Sequence, residues 1–169
     1  MSQKAPILVL AYGNLSRGDD AVGPLLAARL EAWLAGFNEE RIEVLSDFQL
    51  NIEHVFDLVD RRRVLLIDAR TGGSQGFSCE RVSPVADVRF STHALSPSGL
   101  LEIYRRLRWV DPPPLELLSI PARSFELGEP VHPATAEQME EAWDFLKSWC
   151  GAALAEEQEK EQDGESCRA

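Results

Sequence analysis

Gly13-Asn14-Leu15-Ser16-Arg17-Gly18-Asp19-Asp20-Ala21-Val22-Gly23 decides the fold of this chain, because it joins two segments whose apolar residues follow different periods. Upstream, Pro6-Ile7-Leu8-Val9-Leu10-Ala11 is a continuous uncharged run, the pattern of a central strand covered on both faces. Downstream, Val22, Leu25, Leu26, Leu30 and Trp33 recur at helical spacing. Pro24 belongs to the first turn of that helix, where its missing N–H has no partner to lose. The turn between them therefore lies at the carboxyl end of a strand, the edge at which open α/β sheets build their sites. It holds two adjacent acids, Asp19 and Asp20. One carboxylate suffices to cap the helix and meet its dipole, which leaves the other over.

The strand-then-acid pattern recurs further on. Arg63-Val64-Leu65-Leu66-Ile67-Asp68-Ala69-Arg70 is a second buried-strand run, ending near the turn-forming Gly72-Gly73; parallel pairing would set Asp68 on the same sheet edge as Asp20. Arg41 to Leu45 is a further strand, ending in Ser46-Asp47, with a helix expected from Leu50 to Val59. Phe77 to Val82 follows too closely for a helical crossover and is expected to be antiparallel, at or near an edge. Ser96 and Pro97 start a helix bearing Leu100, Leu101, Ile103, Tyr104 and Leu107. Pro112-Pro113-Pro114 then returns the chain to a fifth strand, Leu115 to Ile120. A last helix spans Ala134 to Trp149, opened by Pro133, with Met139, Ala142, Trp143, Leu146 and Trp149 on one face. Strands alternating with helices predict an α/β protein, a single-domain three-layer α/β/α sandwich around a mostly parallel, mixed five-stranded sheet.

Length and charge bound the rest. A chain of 169 residues fits one domain able to bury its own core. We expect that domain to cover residues 1–154. Residues 155–169 hold six acids and two bases without apolar periodicity, and read as an acidic, disordered tail. The formal net charge of −11 argues against a nucleic-acid partner, which would need clustered cations. No apolar stretch reaches membrane-spanning length, and Met-Ser-Gln-Lys-Ala-Pro lacks the apolar core of a secretion signal, so the expectation is a cytoplasmic protein with no membrane contact. Cys79, Cys150 and Cys167 form no C-x-x-C pair and read as incidental thiols. His54 is expected on a solvent-facing helical position and His132 in a helix-start loop.

The chemistry-bearing residues that remain are Asp20, Asp68 and His93, the last in Ser91-Thr92-His93-Ala94-Leu95-Ser96-Pro97 just ahead of a helix. Two carboxylates and an imidazole at strand ends and helix starts suit a metal bound through oxygen and nitrogen, although such spacing alone is not specific. The Gly-Asn-x-x-x-x-Asp-Asp-x-x-Gly signature after an apolar strand, Ile67-Asp68-Ala69 ending a later one, and His93-Ala94-Leu95-Ser96-Pro97 before a helix together resemble the hydrogenase maturation endopeptidases, in order and without large gaps from Ile7 to Trp149.

That family trims a C-terminal extension from the large subunit of [NiFe] hydrogenases. The resemblance implies that Asp20, Asp68 and His93 are its functional residues and contact nickel already installed in the substrate, with no cofactor permanently bound. Its partner would be the [NiFe] hydrogenase large-subunit precursor. Asp47-Phe48-Gln49-Leu50 departs from the Gly- and Thr-containing turn of many relatives and is similar to the branch that processes NAD-linked soluble or bidirectional hydrogenases; it is expected to contact the substrate. Phe125-Glu126-Leu127-Gly128 resembles a family segment that shapes the cleft wall. A non-catalytic chaperone that senses the nickel site would share all of these residues. A nucleotide-binding reading is disfavoured, since two acids at a helix start repel phosphate and neither Gly-x-Gly-x-x-Gly nor a P-loop lysine is present. No Gly-x-Ser-x-Gly elbow or His-Glu-x-x-His helix points to a serine hydrolase or an ordinary zinc protease.

Overall fold

Ile7–Tyr12 forms strand β1, and all six of its residues are buried. Its side chains alternate between two cores, as the period of a strand requires. Ile7, Val9 and Ala11 join one apolar cluster, and Leu8, Leu10 and Tyr12 the other. The structure is a computed structural model that describes residues 4–72, 76–85 and 95–166.

Around β1 are α1 (Val22–Ala35), β2 (Ile42–Asp47), α2 (His54–Asp57), β3 (Arg63–Thr71), β4 (Ser78–Val82), α3 (Pro97–Arg108), β5 (Leu115–Ala122) and α4 (Pro133–Ser166). The strands form one sheet in the order β2-β1-β3-β5-β4. All neighbours pair in parallel except β4, which runs antiparallel to β5 at the edge. The expected five-stranded mixed sheet is therefore present. The expected antiparallel edge strand is there too, paired with β5 rather than with β3, because β5 inserts between them.

Helices cover both faces. Val22, Leu26 and Leu30 of α1, with Ala142, Trp143, Leu146 and Trp149 of α4, pack on the face that includes Val9, Leu65 and Ile67. Leu100, Leu101, Ile103 and Tyr104 of α3, with Leu50, Val55 and Leu58 around α2, pack on the face that includes Leu10, Val64 and Leu66. Among the described residues no helix is long and apolar enough to cross a membrane.

Two elements differ from expectation. The α2 helix is a single turn rather than a helix from Leu50 to Val59, because Asn51 caps its own turn through Oδ1, which accepts from Glu53 N, and Asp60 takes a left-handed φ of 64°. The α4 helix does not stop at Trp149 but continues to Ser166, so the residues expected as a disordered tail from 155 are helical as far as 166. Its Glu, Gln, Lys and Ala residues are good helix formers, and the first added turns have partners on the sheet. Glu156 bonds Arg63 at 2.8 Å, and the almost fully buried Glu157 bonds Arg62 at 2.7 Å.

Candidate active site

The strand order reverses between β1 and β3: β1 leads by way of α1 to β2 on one side, and the rest of the sheet lies on the other. In an open parallel sheet this reversal leaves a crevice at the carboxyl ends, where crossing connections do not fill the space. Pairing of β1 with β3 ends at Ala11 and Ile67, whereas β3 continues beside β5 as far as Thr71. Asp68 is the first β3 residue beyond that pairing, level with Tyr12. The 3-10 turn Gly18–Ala21, which contains Asp20, closes the crevice from above.

Two glycines make this closure possible. Gly13 sits at φ 150°, and a Cβ there would lie 2.0 Å from the Asp20 carbonyl oxygen. A Cβ on Gly23 would lie 2.9 Å from the Tyr12 carbonyl oxygen and 3.1 Å from that of Ile67. The first lets the turn fold back onto the end of β1. The second lets the start of α1 press onto β1 and β3. The spacing of Gly13, Asp20 and Gly23 is thus a packing requirement that delivers a carboxylate to the switch point.

The adjacent acids part company here. Asp19 is fully buried. Its carboxylate accepts from Arg123 N at 2.5 Å, Ser124 N at 3.1 Å, His132 N at 2.6 Å and Thr135 Oγ1 at 2.7 Å. Burial alone would raise its pKa, but these bonds outweigh it and hold the carboxyl below its ordinary range. Asp19 therefore serves structure, not by capping α1 but by tying the turn to the segment before α4 and to the Thr135 hydroxyl in its first turn. The backbone reinforces the tie: Asp19 N donates to Ser124 O at 2.9 Å, Gly18 N to Glu129 O at 3.2 Å and Gly128 N to Ser16 O at 2.8 Å. The Phe125–Gly128 segment is thus laced to the turn.

Asp20 is half-buried, and its Oδ2 accepts from Asn14 N at 2.8 Å. Asp68 is close enough for the Asp20 charge to act on it. Burial, opposed by the Ala69 amide, assisted by the Asp20 charge and opposed again by the Tyr12 hydroxyl, pushes the Asp68 carboxyl up to about 6. Burial and the Asp68 charge push the Tyr12 phenol upward, so it stays protonated and donates to Asp68. Asp20 and Asp68 thus meet at one crevice, steadied by an amide and a phenol, and among the described residues no ion pair engages either carboxylate. Among the described residues no group of three or more His, Cys, Asp and Glu side chains could hold a metal. His93, expected as the third ligand, lies outside the described residues.

Asp47, at the end of β2, is committed to local structure. Its carbonyl accepts from Gly13 N at 3.0 Å, and its carboxylate accepts from Phe48 N at 2.6 Å and Asn51 Nδ2 at 3.3 Å. Phe48 is 70% exposed, and Gln49 is exposed beside it. Leu50 is buried in the α2–α3 core and anchors the loop instead of presenting itself to a ligand.

His54, expected to face solvent, is buried: Nδ1 accepts from Asn51 N at 3.0 Å, and Nε2 lies 3.3 Å from Asp47 Oδ2. A one-turn helix wedged under the β2 loop has no solvent-facing side at that position. His132 is in the helix-start loop, as expected, with Nδ1 accepting from Ala134 N at 3.2 Å. Neither described thiol is primed for attack, since burial, with the Glu116 charge, pushes Cys79 up to about 11, and burial pushes Cys150 up to about 12. Cys167 lies outside the described residues. Sequence reasoning missed Tyr12; the signal was a polar-tipped residue closing an otherwise aliphatic strand, directly before Gly13.

No family model and no curated sequence matches the chain. Solved structures do. The [NiFe] hydrogenase maturation protease HycI from Thermococcus kodakarensis KOD1 superposes with a TM-score of 0.63 at 22% identity, covering 86% of this chain and 92% of its own. The fold is that of the hydrogenase maturation proteases. The hydrogenase maturating endopeptidase HybD from E. coli gives 0.67 at 20% identity over 87% and 93% of the two chains. A hydrogenase 2 maturation peptidase from a Thaumarchaeota archaeon gives 0.62 at 19% identity over 86% and 97%. At this identity the likeness is one of fold; the chemistry rests on the residues in the crevice.

Proposed function

We propose that this protein is an endopeptidase that removes the C-terminal extension of a [NiFe] hydrogenase large-subunit precursor after nickel insertion, acting in the cytoplasm. The observation that carries the reading is the pair Asp20 and Asp68, brought to one crevice at the switch point of this fold with no ion pair to either among the described residues. Asp20, Asp68 and His93 recognise nickel that the precursor brings, and the enzyme keeps no metal or other cofactor of its own. Asn14 N orients Asp20, while Ala69 N and the Tyr12 hydroxyl orient Asp68, so both oxygens are preset for a cation. Nickel at the substrate supplies a Lewis acid able to polarise the scissile carbonyl or acidify a water. The protein's part is to hold that ion, and with it the substrate tail, in register.

Partner choice is assigned to the loop after β2. The exposed Phe48 ring and Gln49 amide can meet a substrate body docked at the crevice, while Asp47 and Leu50 hold the loop in shape. We take this loop as the basis for a substrate from the NAD-linked soluble or bidirectional hydrogenases.

The decisive experiment incubates purified enzyme with nickel-loaded and nickel-free precursor and follows the mass of the large subunit. Cleavage of the loaded form alone, lost in Asp20→Asn, Asp68→Asn and His93→Ala proteins that melt like the parent, is the expected result. Nickel-dependent binding without cleavage would turn the assignment to a nickel-sensing chaperone. Equal cleavage of the nickel-free precursor would sink it.

A further inference from the structure

The overhang of β3 beyond β1 contains a second polar side chain besides Asp68. Arg70 lies two residues along the same strand, so by the alternation of strand side chains it shares the Asp68 face, about 6.6 Å further along the strand. It pairs through its backbone with β5 opposite Pro121. Its guanidinium is unusual in this molecule. Arg61, Arg62 and Arg63 each hold a carboxylate, and Arg29 holds Glu140. Arg70 is half-buried, makes no hydrogen bond or ion pair among the described residues, and its Nε is shut off from solvent with no acceptor. A guanidinium donor removed from water and left unmatched is an unfavourable state that an arriving oxygen relieves. Neither nearby acid meets this need, since no ion pair joins Arg70 to Asp68 or Asp20 among the described residues.

We propose that Arg70 is a substrate-binding residue that grips an acceptor oxygen of the polypeptide segment lying in the Asp20–Asp68 crevice. This rests on the endopeptidase reading. The planar fork of the guanidinium suits two chemistries, a backbone carbonyl or an acidic side chain of the extension, and in both it fixes the chain's direction as it passes the two carboxylates. The two acids take the cation end of the ligand, and Arg70 the anionic or carbonyl end. A crevice edge that carries both signs two residues apart on one strand discriminates the direction in which a chain is laid down.

The test uses full-length enzyme and nickel-loaded precursor, comparing the parent with Arg70→Met and Arg70→Lys. The expected outcome for Arg70→Met is a KM raised about tenfold, the equivalent of one charge-assisted hydrogen bond, with kcat within about threefold of the parent. Arg70→Lys should recover part of the loss, as a point charge without the fork. The melting temperature of Arg70→Met should match the parent, because the side chain has no intramolecular partner to lose. A second arm replaces the acidic residues of the extension with amides. If the parent then loses its advantage over Arg70→Met, the contact is to an acidic side chain; if the advantage persists, it is to a backbone carbonyl. Unchanged KM in Arg70→Met, or a lowered melting temperature, overturns the proposal while leaving the endopeptidase reading intact. Failure of the parent itself to cleave overturns that reading instead.

Discussion

Asp19 and Asp20 are the same residue at consecutive positions, and they live in opposite worlds. Asp19 is sealed from solvent and saturated by four donors drawn from residues 123 to 135. Asp20 faces the crevice, with the Asn14 backbone amide donating to it and a like-charged neighbour in Asp68. A carboxylate whose lone pairs are all engaged inside the protein stabilises the fold and has nothing left for a ligand. One that is held but not saturated is available to a cation and costs the fold stability by standing next to another acid. The difference sets fold stability and the proposed chemistry on two consecutive residues.

The comparison breaks first at Asp19. Asp19→Ala leaves four buried donors unmatched at the junction of the turn and α4, and should lower unfolding stability by about 3–5 kcal/mol, read by urea titration. Activity should fall with it, because the turn that presents Asp20 loses its tether. A variant as stable as the parent would show that the network is dispensable.

Asp20→Asn sharpens the contrast from the other side. Its stability should stay within about 0.5 kcal/mol of the parent, or rise, since the charge facing Asp68 is gone. Processing of nickel-loaded precursor should fall at least about a hundredfold, close to 3 kcal/mol in barrier. Loss of both stability and activity, in the manner of Asp19, would erase the distinction.

Gly23→Ala probes the packing that puts the two acids where they are. Its Cβ would crowd two backbone carbonyls that cannot swing aside, so a destabilisation of about 1–3 kcal/mol is expected, with α1 displaced from the switch point. Thermal denaturation read alongside processing activity checks this. Activity should decline more steeply than stability, because a shift of the turn displaces Asp20 before it unmakes the core.

The smallest effect is expected at the far end of the molecule. A chain ending at Leu154 loses the Glu156 and Glu157 contacts to Arg63 and Arg62, and should be destabilised by about 1 kcal/mol with processing unchanged, because these pairs lie at the amino ends of the strands. A large loss of activity would mean that the helical extension reaches the substrate.

The sequence by itself determined the sheet and its site edge. Uncharged runs such as Ile7–Ala11 and Val64–Ile67, short and flanked by turn residues, read as strands covered on both sides, and Gly13, Pro24 and the helical spacing after them fix where the first strand hands over to a helix. Asp20 and Asp68 were legible as members of one edge for the same reason: local period and parallel pairing suffice to place them. What the sequence could not say is which adjacent acid serves structure. That depends on amides from residues 123 to 132, more than a hundred positions away, which only the packing of α4 against the turn brings near. The burial of His54, the Tyr12 hydroxyl on Asp68 and the unmatched guanidinium of Arg70 were likewise decided by tertiary contacts, since none leaves a periodic trace. The helix past Trp149 belongs with them: its composition reads as solvated, and its buried Glu157 bonds Arg62, on the loop before β3, at 2.7 Å, closer than its 3.8 Å pair with Lys160 in its own segment.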